Sequence, residues 1–445
     1  MGYQEEYKGK LIDVYEAVGK INSNDHIFVG AISAEPYSFL DHFYLLKERN
    51  VRNVTLTHMQ PNKYYDFYED DDYANIIQGD YLFSSKILRN SFKMSRSSFI
   101  PNYLRNAGKD RLYHYKYNHT PINIYVVAVS PMDRHGYFTA GSWADYHRDF
   151  VEAADMIIVE VNETSPRTFG DTYIHISEVD YIFHGDNQIY YQDMNAVTVT
   201  DRMIARNISE LIEDGSTLQI GIGGIPNAVV GELKEKKDLG VHTEMLSDGL
   251  IELFQEGVVT NKSKSVNKGK FITAFSHGSK LTYDFINDNP SVLHLDVNKT
   301  NNPHNIAENH KMVSINTTLQ VDLMGQCASE AIGTLQLSGT GGQVDTAVGA
   351  RESIDGKSII ALSSTAMIRN GGTGERQRES TISAVHPEGT VITLTRAAVD
   401  FIATEYGVAA LRGASVKERV KSLIKIAHPD YRDSLFEEAQ RYHLI

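Results

Sequence analysis

The sequence predicts an α/β fold with mainly parallel β-sheets, divided into two domains. Short runs rich in β-branched residues alternate with amphipathic segments along the chain, and this alternation is typical of βαβ units. The chain has 445 residues, which is too long for one ordinary core and indicates roughly two to three domains. Its composition, 41% hydrophobic and 22% charged, is that of a globular protein without a global signature of disorder.

The predicted strands are short, apolar runs rich in valine, isoleucine and threonine. They cover residues 26–32, 53–59, 123–129, 155–161, 216–222, 357–363 and 389–395. Two helices are predicted from apolar residues that recur at i, i+4, i+7 and i+8. The first covers 201–214 and stops at Gly215; the second covers 415–427 and starts with a capping box of Ser415 and Glu418.

A polar, tyrosine-containing stretch at 184–197 interrupts the alternation and is the predicted linker. We therefore predict an N-terminal domain over residues 1–190 and a C-terminal domain over 191–445. The charge runs at 69–72 and 261–270 are predicted to be solvated loops, because charge runs usually are; the second, which is rich in lysine, could instead contact an anionic ligand.

The charge balance and cysteine content exclude several classes of function. A formal net charge of −14 argues against nucleic acid or an anionic membrane as the main partner. No apolar run approaches the roughly 20 residues of a spanning helix, and the N-terminus lacks an apolar signal region, so we expect a cytoplasmic protein. Cys327 is the only cysteine; it is expected to be a small buried residue, and neither cysteine nor histidine spacing favours a metal site.

The stretch LQIGIGGIPNAVVGEL (218–233) predicts a strand, a glycine loop and a helix, and leaves three functions open. A dinucleotide fingerprint would use Gly221 and Gly223 with Glu244 on the ribose, but Pro226 replaces the third glycine. Proline is typical of a first helical turn, so this interpretation is disfavoured. The loop could be a plain turn. It could also present backbone N–H groups to a developing oxyanion.

An oxyanion loop needs a nucleophile, and LGVHTEMLSDGLIEL (239–253) offers Glu244 between a predicted β segment and a helix starting near Ser247. An acidic residue at such a junction is more often a surface or capping residue. His242 shares the strand face of Glu244 and is expected to be structural. A second glycine cluster, LSGTGGQVDTAVGA (337–350), has the same loop and helix pattern.

Several longer motifs carry a more specific resemblance. They are GIGGIPNAV (221–229), LGVHTEMLSDGLIEL (239–253), GTGGQVDTAVGA (339–350), ATEYGVAAL (403–411), IAHPDYRD (426–433), VSPMDRHGYFTAGSWADY (129–146) and EVNETSPRTFGDTYIHISEVD (160–180). Together they resemble the acetyl-CoA hydrolase/transferase family of family I CoA-transferases. Within it, the resemblance is closest to 4-hydroxybutyrate CoA-transferases and butyryl-CoA:acetate CoA-transferases, and it covers essentially the whole chain.

The resemblance implies two related open-sheet domains of the CoA-transferase (NagB/RpiA-like) type, with the active site between them. It also implies ping-pong transfer of CoA between a short-chain acyl-CoA and a small carboxylate. No cofactor is implied besides the CoA thioester, which is a substrate. The implied assembly is a homodimer or a larger homo-oligomer. Glu244 matches the catalytic glutamate. The oxyanion and CoA-binding positions match Gly221, Ile222, Gly223, Gly224, Gly341, Gly342 and Gln343.

Three departures put the acid substrate in question. The family usually has methionine where this chain has Ser165, an aromatic residue where it has Thr346, and S-R-I-V-P where it reads STISA at 380–384. Two alternatives to the transferase remain: an acyl-CoA hydrolase, in which water intercepts the same intermediate, and a non-catalytic acyl-CoA sensor that keeps the fold.

Overall fold

The computed structural model describes residues 2–192, 196–369 and 375–445. These residues form two compact units. The first unit holds the residues up to Gln192 together with Glu244–Asp248 and Ile272–Thr300, and the second unit holds the remaining described residues. The predicted sequence domains, 1–190 and 191–445, stay a prediction.

The first unit is built on a fully parallel seven-stranded sheet. The runs predicted as strands are buried nearly throughout, as parallel sheets require when both faces are covered. In spatial order the strands are Tyr181–His184, Met156–Val161, Ile124–Val129, His26–Val29, Val54–His58, Ile77–Tyr81 and Ser97–Phe99.

Further elements of the first unit surround this sheet. Tyr137–Thr139 pairs with Tyr173–His175, and Val292–His294 lies between Phe271–Ser276 and Phe169–Gly170. The α-helices are Tyr3–Lys10, Val14–Gly19, Tyr37–Asp41, Tyr44–Glu48, Arg89–Lys93, Ala107–Tyr117, His147–Ala153, Lys280–Ile286 and Val297–Thr300. Short 3-10 helices are Ile32–Ala34, Asp66–Tyr68, Asp71–Tyr73, Lys86–Leu88, Leu104–Asn106 and Ile176–Glu178.

The second unit contains a mainly parallel sheet that ends in one antiparallel hairpin. In spatial order its strands are Gly407–Ala410, Phe401–Thr404, Lys357–Ala361, Met312–Thr317, Thr217–Ile220 and Gly240–Leu246. Residues of the last strand from Glu244 onward group with the first unit.

Smaller sheets and the helices complete the second unit. Cys327–Ala328, Gln320–Asp322 and Ile382–Ser383 form one small sheet; Thr365–Arg369 with Arg376–Ser380, and Ala331–Ile332 with Leu335–Gln336, form two hairpins. The α-helices are Val199–Ser209, Gly224–Glu232, Asp248–Gln255, Pro303–Ala307, Gln343–Glu352, Val416–Ile426 and Arg432–Arg441, and Pro429–Tyr431 is a 3-10 helix. Of the helix Asp248–Gln255, only Asp248 groups with the first unit.

The predicted α/β fold with mainly parallel sheets is confirmed, and every predicted strand except one is present. The prediction for 389–395 is wrong. This run makes only an isolated bridge between Leu394 and Cys327, and Val391 is exposed. Its β-branched residues fit a strand, but only one neighbouring residue offers it backbone pairing, so no ladder forms.

Both predicted helices are confirmed, with shifted ends. Val199–Ser209 starts at a capping box of Thr198 and Asp201 that the sequence analysis did not identify, and ends well before Gly215. Val416–Ile426 starts at the predicted capping box of Ser415 and Glu418. None of the helices in the part of the chain that the structure describes is long and apolar enough to cross a membrane.

Of the two segments predicted as polar connections, the lysine-rich run differs from that expectation. The predicted linker 184–197 starts at the last residue of the strand Tyr181–His184, and its residues 193–195 lie outside the described residues. In the lysine-rich run, Lys264 is fully buried instead of solvated, because its Nζ donates to the carbonyls of Val241 at 2.7 Å and Lys270 at 2.8 Å. Burial lowers the pKa of Lys264 to about 7.

Candidate active site

The first glycine loop connects the strand Thr217–Ile220 to the helix Gly224–Glu232. Gly223 is the residue before the helix, with φ +125° and ψ −176°, a region of backbone conformation that only glycine adopts readily. At Gly224 a β-carbon would lie 2.6 Å from Oδ2 of Asp201, so this position also requires glycine. The predicted strand, loop and helix are confirmed, and Pro226 lies in the first helical turn.

The donors of this loop can be identified from its hydrogen bonds. The N–H of Gly221 donates to the carbonyl of Ile315 at 3.3 Å, so it is already engaged. Among the described residues, the N–H groups of Ile222 and Gly223 have no acceptor. Two free donors at the start of a helix form a site suited to an anionic oxygen.

The second glycine loop precedes the helix Gln343–Glu352. Gly341 has φ +56°, and Gly342 is the residue before the helix. Gln343 is 7% exposed, and its Nε2 donates to the carbonyl of Thr317 at 2.9 Å. The Gln343 side-chain amide N–H therefore anchors the loop to a neighbouring strand.

The structure brings both glycine loops to the strand Met312–Thr317. The carbonyl of Ile315 accepts from the first loop and the carbonyl of Thr317 accepts from the second. A polar network joins the same region: Asn316 Nδ2 donates to Ser314 Oγ at 2.9 Å and to Thr346 Oγ1 at 3.0 Å. Ser314 and Asn316 are two positions apart and therefore lie on the same face of the strand. This spacing of polar residues is a signal that the sequence analysis missed.

The network explains the departure at Thr346. This side chain is 2% exposed and accepts the Asn316 amide, so an aromatic residue would displace that hydrogen bond and overfill the space. The small polar residue and Asn316 are therefore physically linked in this chain.

We expect Thr346→Val to destabilise the protein by about 0.5–1.5 kcal/mol, because it removes one hydrogen bond from the Asn316 amide, which keeps Ser314 and Gln219 as acceptors. Chemical unfolding of the two proteins measures the difference. Thr334→Val is the matched control: Thr334 is exposed, so the free energy of unfolding should stay within about 0.5 kcal/mol. Equal stability of the Thr346→Val variant and the wild type would contradict the role of this contact.

Glu244 lies inside the strand Gly240–Leu246, whereas the sequence analysis placed it after a β segment. This strand runs parallel to Thr217–Ile220, with Thr217 opposite Gly240 and Leu218 opposite Val241. Glu244 is partly exposed, while Thr243 and Met245 on either side are buried. The carboxylate is thus on a rigid element and still accessible, which suits a nucleophile.

The backbone around Glu244 is anchored at three points. The hydroxyl of Thr273 donates to the Glu244 carbonyl at 3.0 Å, and the N–H of His277 donates to the Leu246 carbonyl at 3.1 Å. The buried Asp248 carboxylate accepts the Ser279 N–H at 3.0 Å and the Thr282 hydroxyl at 2.6 Å. These bonds fix the end of the strand from which Glu244 projects.

A second acidic side chain, Asp145, shares this environment, and the sequence analysis missed it. Asp145 is fully buried; its Oδ2 accepts the indole N–H of Trp143 at 2.9 Å. Burial raises the pKa of Asp145 well above its ordinary value, and the charge of Glu244 raises it further. The segment GSWADY belongs to one of the motifs that carry the resemblance, but it pointed to no role for Asp145, because the juxtaposition with Glu244 depends on residues far apart in the chain.

Ser165, which stands where the family usually has methionine, lines a cavity of about 410 Å³ in the first unit. Ser165 is 6% exposed, and its hydroxyl has no partner among the described residues. Met132, Arg167 and Tyr283 contribute to the same walls. A methionine at this position, as in the family pattern, would occupy part of that volume. The departure at 380–384 falls on the strands Arg376–Ser380 and Ile382–Ser383.

Other residues singled out in the sequence have structural surroundings. His242 is 4% exposed and its Nδ1 lies 3.3 Å from Nδ2 of Asn309. Cys327 is fully buried, and burial raises the pKa of its thiol, as expected of a core residue. Within residues 2–192, 196–369 and 375–445, no group of three His, Cys, Asp or Glu side chains is arranged to hold a metal ion.

Comparison with known proteins gives a consistent result over both halves of the chain. Residues 1–190 match the acetyl-CoA hydrolase/transferase N-terminal domain, and residues 278–439 match the acetyl-CoA hydrolase/transferase C-terminal domain.

Curated relatives match over the full length. The chain is 39% identical to a succinyl-CoA:cyclohexane-1-carboxylate CoA transferase of Geobacter metallireducens, covering 100% of this chain and 98% of the relative. It is 38% identical to a 4-hydroxybutyrate coenzyme A transferase of Clostridium kluyveri, covering 99% and 100%. The crystal structure of RipA from Yersinia pestis superposes with a TM-score of 0.88 at 33% identity, covering 100% of both chains.

Proposed function

The chain belongs to the acetyl-CoA hydrolase/transferase family, and we propose that it transfers CoA between a short-chain acyl-CoA and a small carboxylate. The family, the fold and the enzyme class predicted from the sequence are confirmed. Butyryl-CoA or 4-hydroxybutyryl-CoA as donor, and acetate as acceptor, remain the proposed substrates. One observation carries the proposal: a partly exposed, backbone-anchored Glu244 in a chain whose full-length relatives are named CoA transferases.

The proposed reaction proceeds through a covalent intermediate on Glu244. A carboxylate oxygen of Glu244 attacks the thioester carbonyl, and the C–S bond breaks to give a mixed anhydride and the CoA thiolate. The thiolate then attacks the glutamyl carbonyl, releases the acyl group as a free carboxylate, and leaves a glutamyl-CoA thioester. The acceptor carboxylate repeats these steps in reverse, so that the glutamate is regenerated.

The glycine loops are proposed to stabilise the oxyanions of these steps. Each attack on a carbonyl carbon moves negative charge to its oxygen, and preorganised backbone donors lower the barrier most when they point at that charge. The free N–H groups of Ile222 and Gly223 are the donors available in the first loop. Gly341, Gly342 and Gln343 are proposed to shape the second loop, with Gln343 as its anchor.

Further parts of the proposal concern cofactors, assembly and location. We propose that the reaction uses no resident cofactor or metal, because the nucleophile and the oxyanion donors are supplied by the chain itself. A homodimeric or larger homo-oligomeric assembly and a cytoplasmic location stay predictions from the sequence.

Intact-protein mass spectrometry tests the covalent intermediate. The protein is mixed with butyryl-CoA, 4-hydroxybutyryl-CoA or succinyl-CoA in the absence of an acceptor, and the mass is recorded before and after acetate is added. A CoA-sized adduct that acetate discharges as acetyl-CoA supports the transferase. Discharge to free CoA and acid without an acceptor would instead establish the hydrolase. Tight binding of every acyl-CoA without an adduct would overturn the proposed chemistry and favour the sensor.

A further inference from the structure

Asp145 is a buried acid with too few hydrogen bonds to be an anion. Its side chain is 0% exposed, Oδ2 accepts one bond from Trp143, and Oδ1 has no partner among the described residues. A buried carboxylate is stable only when it is paired with a cation or well supplied with donors. One indole N–H is not enough, so the neutral acid is the stable form at this position.

The backbone places Asp145 and Glu244 beside the same short stretch of strand. Ala144 donates its N–H to the Ala274 carbonyl at 3.0 Å, and Ser276 donates to the Ser142 carbonyl at 2.8 Å. From the same strand, the Thr273 hydroxyl donates to the Glu244 carbonyl at 3.0 Å. One strand, Phe271–Ser276, therefore holds the backbone next to Asp145 and the backbone of Glu244.

The charged and titratable groups around Asp145 all disfavour its ionisation. Glu244 and Asp296 contribute negative charge, and the phenol of Tyr146 interacts with the Asp145 carboxyl within the same buried region. Asp296 keeps a raised pKa through burial, although Lys109 and Lys299 offset part of that effect. Two neighbouring carboxyl groups in such surroundings divide into one acid and one anion.

We infer that Asp145 remains a neutral carboxylic acid beside Glu244, so that Glu244 is the only anion of the pair in the proposed reaction. The consequence of this inference for catalysis rests on the proposed function, in which Glu244 is the nucleophile. An ionised Asp145 would favour protonation of Glu244, and a protonated glutamate cannot attack a thioester. A neutral Asp145 adds no negative charge that would oppose ionisation of Glu244.

The rate of CoA adduct formation against pH tests the inference. At low pH the rate falls as Glu244 becomes protonated. In Asp145→Asn a neutral amide replaces a neutral acid, so this fall should occur at the same pH as in the wild type, with the rate at pH 7 within about threefold. If Asp145 were an anion, its removal would move the fall to lower pH by about one unit or more. Such a shift, or a hundredfold loss of rate, would overturn the inference.

A second readout does not depend on catalysis. The unfolded chain releases the Asp145 proton near pH 4, whereas the folded chain retains it to higher pH, so this group lowers wild-type stability as pH rises through that window. The Asp145→Asn variant has no such proton, so its stability does not fall for this reason as the pH rises. Its Tm relative to wild type should therefore increase from pH 5 to pH 8, and an unchanged difference would overturn a neutral Asp145.

Glu160→Gln is the matched control. Glu160 is also fully buried in the first unit; its carboxylate accepts the N–H groups of Ser38 and Phe39, and burial raises its pKa to about 7. Its substitution should change the pH dependence of Tm without changing the kinetics of adduct formation. If the wild type forms no adduct at any pH, the proposed function has failed, while the Tm comparison still decides whether Asp145 is neutral.

Discussion

Replacing Glu244 with glutamine is expected to abolish CoA transfer, with a loss of kcat on the order of 10⁴-fold or more. Glutamine keeps the size of the side chain but lacks the anionic oxygen that attacks the thioester, so neither the anhydride nor the glutamyl-CoA thioester can form. Steady-state kinetics and intact mass measure the two consequences. The variant should show no CoA-sized adduct after mixing with butyryl-CoA.

Binding and folding should survive this substitution. Glu244 is only partly buried, and its backbone carbonyl, which accepts the Thr273 hydroxyl, is retained in the variant. The Kd for acyl-CoA should therefore remain close to that of the wild type. Glu252→Gln, at an exposed position on the helix Asp248–Gln255, is the control and should keep full activity. An adduct of normal yield in Glu244→Gln would show that another residue is the nucleophile.

Local spacing explains which parts of the fold could be predicted. The helix Val416–Ile426 and its capping box depend on residues within one or two turns of each other, and this information is present in the sequence. The run 389–395 failed because its pattern fits a strand, whereas its pairing depends on Cys327, more than sixty residues earlier in the chain. Likewise, the buried Lys264 donates to the carbonyl of Val241, more than twenty residues earlier in the chain, as well as to that of Lys270 within its own run.

The candidate site likewise contains residues that local motifs could predict and residues that they could not. Glu244 and the glycine loops were identified from motifs, and the conformation of Gly223 supplies the physical reason for one of these glycines. Asp145 could not be identified, because its chemistry comes from complete burial and from a neighbour about one hundred residues away. Asn316 and Thr346 form their contact only once the strand Met312–Thr317 and the helix Gln343–Glu352 pack together. Sequence motifs thus propose a nucleophile, whereas the buried groups around it emerge only from the packing.

Substituting alanine for Gly223 is expected to lower kcat by roughly a hundredfold. The position has φ +125° and ψ −176°, and a residue with a β-carbon holds that conformation only at a cost of about 1–3 kcal/mol. Relaxation of the strain turns the peptide groups on both sides of residue 223. The N–H groups of Ile222 and Gly223 then no longer point where an oxyanion develops, which weakens the transition state more than the bound substrate. We therefore expect kcat to fall while KM changes little.

Gly231→Ala separates this effect from a general loss of stability. Gly231 lies in the helix that follows the loop, and a β-carbon there would meet no atom within 4 Å. Alanine stabilises a helix interior by roughly 0.5–1 kcal/mol relative to glycine, so this variant should be at least as stable as the wild type and equally active. Kinetics recorded well below the Tm of each protein make the comparison direct. A Gly223→Ala variant with kcat within threefold of wild type would remove the first glycine loop from the reaction and leave oxyanion stabilisation to other donors.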